Sequence, residues 1–111
     1  MKVIDIVNWE NTTVLAGKDA CEKTISGAYS SDLLSDVMGN ADENMLWITI
    51  QTHKNVAAIA SLKELACVVI ANNNKASAEL IESAEREGIP IISTSMSAFE
   101  FGGRLYQVLH S

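Results

Sequence analysis

From residue 45 onward, the hydrophobic positions fall into blocks whose spacing alternates between that of a strand and that of a helix. Met45–Thr52 (MLWITIQT) is β-branched and aromatic and begins apolar on both faces, which predicts a strand covered on both sides. Asn55–Leu65 then brings Val56, Ile59, Ala60, Leu62 and Leu65 round at helical spacing, with Ala57 and Ala58 widening the apolar surface. Cys67–Ala71 predicts a second buried strand. Asn72-Asn73-Asn74 reads as a turn, because asparagine tolerates positive φ and bonds back to its own chain. Ser77–Glu87 predicts an amphipathic helix, with Ser77 as its cap, Leu80, Ile81 and Ala84 facing inward, and Glu82 and Arg86 one turn apart. Gly88 follows where a left-handed residue ends such a helix. Ile89–Ile92 opens a third strand, with Pro90 tolerable near its beginning or on an edge. Ser97-x-x-Glu100 is a capping box for a last helix running to Leu109. This β-α-β-α-β-α rhythm with short connections predicts parallel strands and right-handed crossovers.

Residues 1–44 carry a weaker pattern. Val3, Ile6 and Val7 fit a short helix or a strand, while Thr12–Ala16 and Lys23–Tyr29 read as short strands separated by a glycine-containing loop. Asp32–Met38 predicts a helix with Leu33, Leu34, Val37 and Met38 on one side and Gly39 behind it. No repeat, low-complexity tract or linker interrupts the chain, so one domain is expected over 1–111. A chain of this length buries roughly two thirds of its unfolded surface and needs no disulfide or metal to fold.

Composition narrows the partners. The net charge is −6, and residues 1–44 hold three lysines against eight acids. An acidic chain without a basic stripe repels phosphate backbones, so nucleic acid is not an expected partner. Cys21 and Cys67 lack metal-ligand spacing and read as reduced thiols of a cytoplasmic protein. The N-terminus carries no secretory pattern, and no apolar run approaches a membrane span, so no membrane association is expected.

Candidate chemistry gathers at the predicted strand ends, where open α/β sheets bind ligands. Gln51, Thr52, His53 and Asn55 follow the first strand, Asn72 and Asn73 the second, and Thr94 and Ser95 the third. Beside this binding reading stand plainer ones: Thr52 and His53 capping a helix, the asparagines making a turn, and Ser97 acting only as a cap. Lys54 or Arg104 is placed to meet an anion. Asp32, Asp36, Asp42 and Glu43 form an acidic stretch, read either as a solvated helix or as a site for Mg²⁺ or a basic partner. Trp9 and Trp47 are read as core residues or as stacking platforms. Gly102-Gly103 inside a helix costs up to ~1 kcal/mol per glycine, so either tight packing on the sheet or a second subunit must offset it. With the nearly all-apolar Ala57–Ala60 helix, this predicts a symmetric homodimer.

The segments Ser31–Met38, Trp47–Asn55, Gly88–Ile91, Phe99-Glu100 and Arg104–Tyr106 resemble the DRTGG domain family, in particular its small stand-alone members. The resemblance implies an α/β fold, mainly a parallel sheet of β-α units with flanking helices, like the N-terminal domain of HPr kinase/phosphorylase. It also implies a regulatory or ligand-sensing role. Larger members have Gly-Asp-Arg where this chain has Gln51-Thr52-His53, and Thr-Gly-Gly where it has Ala71-Asn72-Asn73, so their ligand does not transfer. A Walker A motif is lacking, because Gly17-Lys18 is followed by Asp19 and has no upstream glycine. The expectation is therefore a non-catalytic domain without a cofactor, binding a small molecule (a nucleotide or another anion) or a partner enzyme. The alternatives are a dimeric scaffold without a ligand, or an enzyme using His53 as acid/base with Asp32 or Asp36.

Overall fold

The chain alternates helix and strand along its whole length. A computed structural model describes all residues from Met1 to Ser111. In order they form α1 (Val3–Val7), β1 (Thr12–Ala16), a single 3₁₀ turn (Lys18–Ala20), β2 (Gly27–Ser30), α2 (Leu34–Asn40) and β3 (Met45–Thr49). Then come α3 (Asn55–Leu62), β4 (Cys67–Ile70), α4 (Ala78–Glu87), β5 (Ile91–Thr94) and α5 (Ala98–Leu109). One five-stranded sheet runs β1-β5-β4-β3-β2. Strands β2 to β5 are parallel, and β1 lies antiparallel to β5, with Thr12 opposite Thr94 and a bulge between Val14 and Ala16.

Side-chain alternation along β3 and β4 feeds two cores. On one face Trp47, Val68 and Ile70 meet Val37 of α2, Val56 and Ala60 of α3, and Leu80 and Ala84 of α4. On the other, Leu46, Ile48, Cys67 and Val69 meet Val3 and Ile6 of α1 and Phe101 and Leu105 of α5. The result is a three-layer α/β fold, a mainly parallel sheet flanked by helices. Burial of β4 throughout, and of β3 from Leu46 to Thr49, explains why their sequence is apolar on both faces.

The capping expectations for α4 and α5 hold. Ser77 Oγ accepts from Leu80 N–H at 3.0 Å, Ser97 Oγ from Glu100 N–H at 3.1 Å, and Gly88 ends α4 at φ +68°. Pro90 immediately precedes β5, where the missing N–H costs no ladder bond, and its carbonyl accepts from Val68 N–H at 2.9 Å. Glu82 and Arg86 make only a loose pair at 3.9 Å.

Several boundaries differ from expectation, each for a local reason. β3 stops at Thr49 rather than Thr52, because Asp32 Oδ1 takes the Thr49 hydroxyl and the Ile50 N–H, both at 2.8 Å, and turns the chain outward. That use of Asp32 also delays α2 to Leu34, and Gly39 lies inside the helix rather than behind it. α3 ends at Leu62, because Glu64 adopts φ +55°. Strand β2 begins at Gly27; Thr24, upstream of it, makes only an isolated bridge to Lys2. No helix is long and apolar enough to cross a membrane.

Candidate functional site

The carboxyl ends of the strands are laced together by backbone bonds. Ala71 N–H donates to Thr49 O at 2.9 Å, Asn72 N–H to Met96 O at 2.8 Å, and Asn73 N–H to Thr94 O at 3.0 Å. Ser95 N–H reaches Asn11 O at 3.2 Å, and Ser77 N–H reaches Thr52 O at 2.9 Å. Asn72 and Asn73 sit at φ +63° and +57°, the left-handed region that asparagine tolerates. The triplet is therefore a turn, as its sequence indicates. Its first two side chains are left exposed over the edge.

The predicted residues do not converge on one cavity. Asn73, Thr94 and Ser95 share a hollow of about 330 Å³ with Asn11, Thr12, Thr13 and Ser93, and every lining residue is polar. Thr94 is buried, and its hydroxyl accepts from Met96 N–H at 3.1 Å. The Thr12 hydroxyl is held by Trp9 O at 2.7 Å. The side chains of Asn11, Thr13, Asn73, Ser93 and Ser95 make no hydrogen bond to the rest of the chain. A second hollow of about 380 Å³ adjoins the first through Asn73 and Ser93, and adds Leu15, Ala76, Ile81, Asn74 and Lys75. One half is therefore rich in hydroxyl and amide groups. The other adds three apolar side chains, Leu15, Ala76 and Ile81, beside Asn74 and a single cation, Lys75.

Gln51, Thr52, His53 and Asn72 line neither hollow. Gln51 Nε2 is engaged by Asp32 O at 2.9 Å. Asn55 lies instead in a groove of about 390 Å³ between α3 and α4, beside Lys54, Ala58, Leu62 and Arg86. Neither Thr52 nor His53 caps α3; its N-cap is Lys54, which makes no side-chain capping bond. The Arg104 guanidinium lies 4.1 Å over the Trp9 ring, which packs on Phe101 at 5.3 Å. Trp47 is a core residue whose Nε1–H donates to Ser31 O at 2.8 Å.

Within the acidic stretch, Asp32 and Asp36 are engaged internally, while Asp42 and Glu43 are exposed. Asp32 braces the end of β3, as described, and His53 bonds to neither Asp32 nor Asp36, so the acid/base pair does not form. No group of three or more His, Cys, Asp or Glu side chains comes together as a metal site. Asp36 Oδ1 accepts from the Tyr29 hydroxyl at 2.8 Å and from Asn40 Nδ2 at 2.9 Å. The hydroxyls of Ser31 and Tyr29 hold its carboxyl below the ordinary value of 3.8, and the bond to Asp36 pushes the Tyr29 phenol above 10.0. The stabilisation from Asp36 is therefore present above pH 3.8 and is lost as the pH falls through its lowered folded value. The contribution of Tyr29 is present below pH 10.0 and is lost as the pH rises through its raised value. Asp36→Asn should accordingly flatten the acid limb of the stability profile, measured by urea unfolding from about pH 2 to about pH 5. An acid limb identical to wild type would contradict this assignment.

Sequence reading missed Asn11, Thr13, Ser93 and Lys75. Only the antiparallel pairing of β1 with β5 brings the first two to this edge. The available signal was Asn11 before the Thr12-Thr13 pair, a turn residue at φ +68° opening a strand.

A search of curated proteins gave no match. Among solved structures, the fold is similar to the CBS and DRTGG domains of the regulatory region of Clostridium perfringens pyrophosphatase, complexed with its activator diadenosine tetraphosphate. The TM-score is 0.69 at 15% identity, over 93% of this chain and 44% of that one, so this chain spans less than half of that neighbour. The DRTGG domain profile matches residues 5–108, nearly the whole sequence, and the chain belongs to the DRTGG domain family.

Proposed function

We propose that this chain is a regulatory, ligand-sensing domain that binds a small molecule at the carboxyl ends of its parallel strands, with a nucleotide the leading candidate. The observation that carries this reading is the pair of hollows meeting at Asn73 and Ser93. The half with the three apolar side chains suits a base, the half rich in hydroxyl and amide groups suits a sugar, and Lys75 supplies one cation for a phosphate. Gln51, Thr52, His53 and Asn72 form the neighbouring rim, and Asn55 the flank, open to a longer ligand. The similar pyrophosphatase region binds a dinucleotide activator, which makes that compound a natural first probe. The resemblance to a domain that accompanies a kinase agrees with a regulatory part rather than a catalytic one. In this reading the protein works in the cytoplasm as a homodimer and passes ligand occupancy to a partner enzyme.

The test is a thermal-shift screen with adenosine, ATP, diadenosine tetraphosphate, ribose and inorganic phosphate. A compound at about a hundred times its Kd contributes about 2.7 kcal/mol, which raises Tm by on the order of 10 °C for a chain of this size. Asn73→Gly keeps the left-handed backbone while removing the amide, so it should abolish the shift and leave the unliganded Tm nearly unchanged. A shift that survives Asn73→Gly together with Ser95→Ala would remove this edge as the site. A scaffold without a ligand is favoured by a different observation, the unpartnered strip along β2 and α5.

A further inference from the structure

Strand β2 is a four-residue edge strand of the sheet. Natural edges carry charge, proline or a bulge that discourages pairing with another chain. The opposite edge, β1, has a bulge between Val14 and Ala16, whereas Gly27–Ser30 (GAYS) has neither charge, proline nor bulge. On the α5 side this strand is incompletely covered. A hollow of about 420 Å³ opens there, floored by Ile48 and Ala28 and walled by Gly102, Leu105, Tyr106 and Leu109. Those four positions recur at helical spacing, so the hollow follows one stripe of α5.

The stripe includes Gly102, and Gly103 lies beside it on the exposed flank of α5. A Cβ on Gly102 would make only an ordinary contact of 3.6 Å with Ile48, and one on Gly103 would meet nothing. Packing within the chain therefore does not require either glycine, although each weakens the helix. Phe99 and Tyr106, 89% and 66% exposed, stand on either side of them as ridges beside a notch. A notch between two ridges is self-complementary for a helix crossing an identical helix about a two-fold axis.

We infer that a second copy of this chain occupies the strip, with β2 pairing antiparallel to its mate and α5 crossing its mate at Gly102-Gly103. This rests on the homodimer reading above and names its surface. Charge supports the assignment. The chain carries eight basic and fourteen acidic residues, yet none of them lines the hollow, so two copies of net charge −6 meet there without opposed like charges.

Analytical ultracentrifugation at high micromolar concentration should show a dimer. Ala28→Lys and Gly103→Glu, both at exposed positions, should each weaken association at least about tenfold while leaving the circular dichroism spectrum unchanged. Ala28→Cys should be captured as a covalent dimer by a short bis-maleimide, with the buried Cys21 and Cys67 not competing. A wild-type dimer whose affinity survives both substitutions overturns this surface and leaves the homodimer reading standing. A wild-type monomer overturns both.

Discussion

Gly17→Ala should destabilise the protein by about 2–5 kcal/mol. Gly17 sits at φ +70°, and a Cβ added there would lie 2.4 Å from the Ile89 carbonyl oxygen. The left-handed backbone alone costs an L-residue about 1–2 kcal/mol. Overlap with a backbone atom adds about 1–3 kcal/mol more, because a carbonyl in the chain entering β5 cannot swing away as a flexible side chain does. The Gly17 N–H also donates to Glu85 Oε2 at 2.9 Å, so the site fastens the end of β1 to both α4 and β5. The effect therefore reaches the candidate ligand site, because β1 carries Asn11–Thr13 into its wall. Urea unfolding reads the stability. A loss below about 1 kcal/mol would show that β1 is not locked at this point.

Asp32→Ala should cost about 2 kcal/mol, near the worth of a charged hydrogen bond. Asp32 is exposed, so water replaces part of what is lost and the two bonds do not add in full. The buried Thr49 hydroxyl and the Ile50 N–H nevertheless lose their acceptor, and the turn that ends β3 loosens. Asp32→Asn keeps an acceptor oxygen and should cost less than half as much. This pair of variants separates a bracing residue from a catalytic or metal-binding one. A carboxylate held in place for chemistry usually strains the fold, so its removal would leave stability unchanged or higher. Unchanged stability in Asp32→Ala would reopen the Asp32–His53 reading.

How much of this was legible in the sequence follows from what each residue answers to. β3, β4, α4 and α5 are set by local periodicity and by caps within four residues, so MLWIT, CVVI, Ser77 with Gly88, and Ser97 with Glu100 announce them. The antiparallel partner of β5 is a contact between residues 12 and 94, and nothing near Thr12 signals it. The same distance hides the ties of Asp32 to Thr49 and of Gly17 to Ile89. Arg104 read as a spare cation because its aromatic platform, Trp9, lies at the other end of the chain. At the candidate site, the rule that strand ends gather ligands points to Asn73, Thr94 and Ser95, which line one hollow. The same rule points to His53, which follows β3 but lines neither hollow.

The proposed ligand site is tested most directly by a ¹⁵N–¹H NMR titration of the full chain with the nucleotide panel. Saturable shifts are expected on the amides of Asn11–Thr13, Asn73–Lys75 and Ser93–Ser95, with Gln51–His53 responding more weakly as the rim. Shifts confined to the α3–α4 groove around Lys54 and Arg86, or no shift with any compound, would contradict a nucleotide-sensing site at the carboxyl edge.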